Sequence, residues 1–237
     1  MKKLIYQTLA IFIIALFTKN GSAQMVTLED VSSRSFSGVN VMEGKGYYTF
    51  YFGEKTENKG MANFVLELFD LNLNRVKTVN IELTKTSELA ASAFSDNTFL
   101  FSFADQMKKT STLVTLDEKG NTIDKKVEEG VKMVLLTPDN YPTIYPAGNG
   151  EFVVIKPIKE KKFGFNLQRI DAHFTIKYEA SYAPEKGTFK VLDSEIKDNR
   201  LFVLKGLGYV SIGYCTILYN NNDKNTITGI ASKTCCK

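Results

Sequence analysis

Residues 44–52 read Gly44-Lys45-Gly46-Tyr47-Tyr48-Thr49-Phe50-Tyr51-Phe52, a small turn followed by residues that alternate by twos as a strand does. The same order returns at Asp96-Asn97 before Phe99, Phe101 and Phe103, and at Gly148-Asn149-Gly150 before Phe152 and Val154. It returns again at Asp198-Asn199 before Leu201 and Val203. From Gly46 to Asn97, Gly150 and Asn199 the steps are 51, 53 and 49 residues. A second marker keeps the same rhythm. An apolar residue followed by aspartate closes the next strand at Phe69-Asp70, Leu116-Asp117 and Ile170-Asp171, with steps of 47 and 54 between the aspartates. Two independent markers on one period mean one supersecondary unit used repeatedly.

Each unit is rich in short strands. After the aromatic strand of the first unit come a charged turn at 53–60, a strand at Phe64–Phe69 and a third at Val76–Leu83. The second unit repeats this with Phe99–Phe103 and Leu113–Leu116, followed by Asp117-Glu118-Lys119-Gly120-Asn121, a strong turn signal. The third runs Phe152–Ile158 and Phe165–Ile170. The expectation is an all-β chain with a β-propeller-like array of about four blade units over residues 41–219. A β-sandwich or open barrel is the alternative, since evenly spaced short strands fit those as well. Residues 24–40 read as an extended lead-in, with a strand through Phe36 to Val41, and 220–237 as an irregular tail. The fourth unit opens at Arg200 without closing on an apolar-Asp pair, so the array is expected to be incomplete, a small open ring or a truncated longer one.

Lys2 and Lys3, an apolar stretch from Leu4 to Phe17 broken by Gln7 and Thr8, and the small residues Gly21-Ser22-Ala23 read as a signal peptide over residues 1–23. Cleavage is expected between Ala23 and Gln24, because the apolar run is shorter than the roughly 20 residues a spanning helix needs. No stable membrane anchor would remain, and the product would be periplasmic or extracellular. Losing Lys2, Lys3 and Lys19 lowers the basic side chains from 30 to 27 against 26 acidic ones. A nearly neutral surface gives no support for nucleic-acid binding. The lysines at Lys108-Lys109 and Lys159–Lys162 read as solvated turn charges. Three cysteines, Cys215, Cys235 and Cys236, all lie in the last quarter. In an exported chain Cys215 with Cys235 is the pairing to expect, since adjacent cysteines bond poorly to each other.

Chemistry-bearing residues are sparse. His173 is the single histidine, so a Ser-His-Asp triad would have to use it, and it falls in a turn after Asp171. One histidine and three late cysteines do not make a spaced zinc site, and no cofactor is implied. Asp70-Leu71-Asn72-Leu73-Asn74 imitates the first half of a calcium loop, but Arg75 stands where such a loop needs glycine. Glu43, Glu67, Asp96, Glu151, Asp171, Asp193 and Asp198 are available for paired-carboxylate hydrolysis, and nothing in the sequence selects two of them. Among aromatics, Tyr48, Phe50, Phe99, Phe101 and Phe103 lie on the repeating strand face and read as core. Tyr141 and Tyr145, within Tyr141-Pro142-Thr143-Ile144-Tyr145-Pro146, read as ligand-binding candidates on a loop stiffened by proline, with Tyr47 and Tyr51 as further stacking candidates.

In period and strand order, residues 36–218 resemble the β-propeller repeats of exported bacterial proteins. The Trp-Asp signature of one propeller class and the paired glycines of kelch repeats are absent, so the resemblance carries over no ligand residue. It implies an exported protein that binds a protein, peptide or glycan ligand at the strand ends without catalysis. Self-association through open blade edges is expected with it. A glycan- or peptide-acting hydrolase on the same scaffold, and a fragment of a longer propeller protein, are the alternatives.

Overall fold

A computed structural model describes residues 37–56, 58–159, 163–182, 189–197, 200–207, 211–218 and 230–234. The chain is all-β. Among the described residues, sixteen strands form separate four-stranded sheets, each an antiparallel meander in chain order. Blade 1 holds β1 (Val39–Met42), β2 (Gly46–Lys55), β3 (Met61–Phe69) and β4 (Arg75–Thr84). Blade 2 holds β5 (Glu88–Ser95), β6 (Thr98–Asp105), β7 (Thr110–Asp117) and β8 (Thr122–Glu128). Blade 3 holds β9 (Thr143–Pro146), β10 (Phe152–Lys159), β11 (Phe163–Ile170) and β12 (Ile176–Tyr182). Blade 4 holds β13 (Phe189–Lys197), β14 (Arg200–Leu207), β15 (Ser211–Leu218) and β16 (Ile230–Thr234). First strands neighbour first strands, β1 beside β5 and β5 beside β9, as in a propeller whose blades radiate from an axis.

The repeat is real, but its phase differs from the one the sequence suggests. The alternating apolar strands β2, β6, β10 and β14 are the second strand of each blade, and the periodic turns ahead of β2, β6 and β10 are the hairpins between first and second strands. The first strands were the inconspicuous ones. β5 is Glu-Leu-Ala-Ala-Ser-Ala-Phe-Ser, whose small side chains carry little strand signal, and β9 has only four residues. The expected irregular tail also needs correcting, because Ile230–Thr234 pairs with β15 from Ile217↔Ile230 to Gly213↔Thr234. Its weak alternation hid a strand that the open edge of β15 supplies with hydrogen-bond partners. The lead-in ends inside a strand as well, since β1 begins at Val39. Ala23, Gln24 and Cys235 lie outside the described residues, and of Cys215 only the backbone, paired with Ser232, is described.

The apolar-Asp closures are one hairpin used three times. Asp70, Asp117 and Asp171 each donate their N–H to the carbonyl of the residue four on: Asn74, Asn121 and Thr175. Each carboxylate accepts the N–H of that same residue in return. The residue three on must enter the left-handed region, and Leu73, Gly120 and Phe174 do so at φ 60°, 76° and 57°. The calcium-loop half at Asp70 is therefore this turn, with its oxygens occupied by Asn72 and Asn74. At the hairpin opening blade 1, Gly46 has φ 142°, and a Cβ there would run into the Phe69 carbonyl.

The main core lies between blades 1 and 2. Tyr48, Phe50, Phe64 and Leu66 from blade 1 interlock with Phe94, Phe99, Phe101 and Phe103 from blade 2. Phe50, Phe99 and Phe101 are fully buried. Phe50 meets Phe101 at 5.0 Å between ring centroids, and Tyr48 meets Phe99 edge-on at 5.3 Å. The Tyr48 hydroxyl, buried in this cluster, shares a 3.1 Å hydrogen bond with Ser92 Oγ. The residues expected to be core are core. Val39 and Val41, on the opposite face of β1, are exposed.

Candidate functional site

Strand β6 decides where free space remains. All eight of its residues are buried, so both faces are covered. Phe99, Phe101 and Phe103 point into the aromatic seam with blade 1. Leu100, Ser102 and Ala104 alternate with them and therefore face blade 3. Their cross-strand neighbours are small or aliphatic: Ala91 opposite Ser102 and Ala93 opposite Leu100 on β5, and Leu113 opposite Ser102 on β7. Blade 3 answers with Ile144, Phe152, Val154, Ile170 and Phe174, which close a second, smaller core around Ala93 and Leu100. Towards the periphery the alanines and serines do not reach across, and a cleft opens between the blades.

The linker between β8 and β9 roofs this cleft. It makes two short 3-10 turns, Met133–Leu136 and Pro138–Asn140, and Leu136, Asn140, Tyr141 and Pro142 line the opening. Hydrogen bonds fasten the roof to blade 2. Gln106 Nε2 donates to the Leu136 carbonyl at 3.0 Å, Val131 N–H to the Lys109 carbonyl at 2.9 Å, and Tyr141 Oη to Glu88 Oε2 at 2.7 Å. Burial pushes the Tyr141 phenol upward, and the hydrogen bond to Glu88 with the charge of that carboxylate pushes it further, so it stays a donor.

The polar lining sits at the rim. Lys156 of β10 bridges the seam to Glu128 of β8. Lys126, two residues earlier on β8 and on the same face, lines the cleft and makes no direct ion pair among the described residues. Gln168 Nε2 donates to Glu179 Oε1 at 2.7 Å, as Asn166 does at 2.6 Å. Those two hydrogen bonds hold the Glu179 carboxyl below its usual range, with Lys126 adding a longer-range pull in the same direction.

The structure separates the two tyrosines proposed to act together. Tyr141 lines the cleft, but Tyr145 sits on β9 opposite Val153, on the blade face that turns away from blade 2. Tyr51 hydrogen-bonds Glu67 on the outer side of blade 1, and Tyr47 lies on the same strand face, away from the cleft. The candidate acids scatter too. Glu67 is buried beside Tyr51, with Arg75 at 3.4 Å. Asp96 accepts the Gly150 N–H at 3.3 Å, and Glu151 pairs with Arg169. For Asp171 partial desolvation acts upward but loses to hydrogen bonds from Lys177, Thr175 and His173, which hold the carboxyl at about 2. An acid held ionised that firmly does not serve as a proton donor. His173 is exposed, its Nδ1 3.7 Å from Asp124 Oδ2 across the same seam. The side chains of Asp193 and Asp198 lie outside the described residues.

Sequence reasoning found Tyr141 and missed Ser102, Ala104, Lys126, Lys156 and Gln168. A signal for the first two existed, since small residues alternate with phenylalanines along β6. The others come from three strands, and only the packing of blade on blade brings them together.

The chain belongs to the family of unknown function DUF6770, whose model matches residues 1–212. No curated protein matches it. Among solved structures it is similar to a protein of unknown function from Bacteroides caccae, at 16% identity and TM-score 0.44, covering 81% of this chain and 59% of that one. It is also similar to a prolyl endopeptidase, at 14% identity and TM-score 0.46, covering 80% of this chain and 28% of that one. A subtype N11 neuraminidase-like protein of the A/flat-faced bat/Peru isolate aligns at 12% identity and TM-score 0.42, over 81% of this chain and 56% of that one. The chain thus spans less than two thirds of the length of each of these structures.

Proposed function

We propose that this is an exported binding protein, and that the cleft between blades 2 and 3 is where its ligand sits. The supporting observation is the division of β6: three phenylalanines fill one seam, while Ser102 and Ala104 leave the other unfilled beneath a roof fastened by hydrogen bonds. A concave site with an apolar floor, a few polar groups at its rim and a preformed roof is the usual form of a small-ligand site. The carboxylates near it are ion-paired or hydrogen-bonded to neighbours, which favours binding over acid–base chemistry. The test is a fragment and peptide screen followed by backbone amide shifts in the chain from Gln24 onward. Shifts centred on Ser102, Leu113 and Tyr141, lost in Ser102→Phe, support the reading; hits confined to other faces refute it. Export belongs to the same proposal, supported by Lys2-Lys3, the apolar run and Ala23. N-terminal sequencing of protein expressed from the full-length chain should begin at Gln24, and an intact Met1 terminus on exported protein would overturn it.

A further inference from the structure

We infer that the cleft selects a small amphiphilic carboxylate: an aliphatic body about the size of one side chain, with an anionic end held at Lys126. The inference rests on the binding reading above and adds the chemistry of the ligand. The floor between the blades is Leu113, Val154 and Ile170, with Ala104 and Ser102 giving room beside them and the exposed Ile176 at the edge. The aliphatic lining suits a branched aliphatic group. The rim charges are partnered unequally. Lys156 and Glu128 neutralise one another across the seam, and Glu179 is held by Asn166 and Gln168, whereas Lys126 has no carboxylate within ion-pair distance among the described residues and feels Glu179 only at longer range. An apolar body seated on the floor and a carboxylate at Lys126 would satisfy both. A neutral ligand would leave Lys126 as it is, and a cationic one would be repelled by it.

Two sources supply this chemistry, a free short-chain carboxylic acid and the C-terminus of a peptide ending in an aliphatic residue. The probes are 4-methylpentanoate with 4-methylpentan-1-ol, and N-acetyl-Gly-Gly-Leu as free acid with its C-terminal amide. Each is titrated by amide shifts into the wild-type chain from Gln24 onward, Lys126→Gln and Ser102→Phe. The expected result is that at least one acid binds about tenfold more tightly than its neutral partner, as loss of a charge-assisted contact would give. Lys126→Gln should erase that difference, and Ser102→Phe should abolish binding of both members. If only the free acid binds, the source is a small metabolite; if the peptide acid binds more tightly, it is a chain terminus. Neutral and acid probes binding equally at the cleft would overturn the carboxylate assignment while leaving the binding reading intact. No shift at the cleft with any of these probes would overturn the carboxylate assignment, and the binding reading then stands or falls with the wider screen. Because Lys126 is exposed on a strand, Lys126→Gln should fold as the wild type does, and Lys126→Arg should retain the preference for acids.

Discussion

The two seams that flank blade 2 share one strand and differ in nearly everything else. Towards blade 1, β6 presents Phe99, Phe101 and Phe103 to a layer of aromatic rings, and the seam is filled. Towards blade 3 it presents Leu100, Ser102 and Ala104 to alanines and aliphatic residues, and the seam is closed at one end and open at the other. Burial of large rings holds the first pair of blades together. The second pair relies on a smaller core and on polar ties across the gap: Lys156 to Glu128, and Thr115 Oγ1 to the Ala172 carbonyl at 2.7 Å. A propeller can leave a blade interface partly unfilled when the neighbouring one is packed densely enough to hold the array. In the function proposed above, the unfilled interface is the place where a ligand would add contacts instead of displacing them.

Substitutions that break this contrast should differ in size. Phe101→Ala, at a fully buried ring touching Tyr48, Phe50 and Phe103, should cost about 3–5 kcal/mol by chemical denaturation. A cost below about 1 kcal/mol would mean that the aromatic seam is not the main source of stability. Asp105 is the next test. Its carboxylate, almost fully buried, accepts from Thr84 Oγ1 at 2.5 Å, Thr86 Oγ1 at 2.7 Å and Lys108 N at 2.9 Å, tying the link between blades 1 and 2 to the β6–β7 turn. Asp105→Ala should cost about 1–3 kcal/mol, since it strips an acceptor from three donors at once. Ser102→Val sharpens the contrast from the other side. The extra methyl groups enter the open seam, so its stability should stay within about 1 kcal/mol of wild type. The same kind of enlargement in the aromatic seam should destabilise.

A further effect concerns acid. Asp171 and Asp105 both titrate below the ordinary carboxylate range in the folded chain, Asp171 at about 2. At Asp105 burial pushes upward but is outweighed by the hydrogen bonds from Thr84, Lys108 N–H and Thr86. A depressed folded value means stability that is present above the unfolded value near 3.8 and is lost as pH falls towards about 2. Carboxyl carbon shifts followed from pH 5 to 1.5 should therefore place Asp171 last among the turn aspartates to protonate. A midpoint near 4 would show that the repeated hairpin does not hold its carboxylate as described.

How much of this was legible depends on the range over which each feature is set. The phenylalanines of β6 and the tyrosine and phenylalanines of β2 announced themselves, because a strand shows two faces to its own sequence. The aspartate hairpins were visible as a repeated pair, though their role as turn locks needed the return hydrogen bond from the residue four on. Strand β5 was not legible, since alanines and serines favour no period and become a strand only by pairing with β6. Tyr141 was legible as a ring on a proline-stiffened loop. Tyr145 looked the same from its neighbours, yet one residue step beyond Ile144 turns it to the opposite face of the sheet.

By itself the sequence determined the all-β class, the period near 50 residues and the aromatic faces of β2 and β6, because local alternation and turn chemistry act over a handful of residues. Only the tertiary structure decided which strand opens each blade, which face of β6 meets which neighbour, and that Tyr141, Lys126, Lys156 and Ser102 border one cleft. Those residues lie on different strands of two blades and a linker. Their meeting depends on how the side-chain volumes of facing sheets add up, a quantity that no single strand carries.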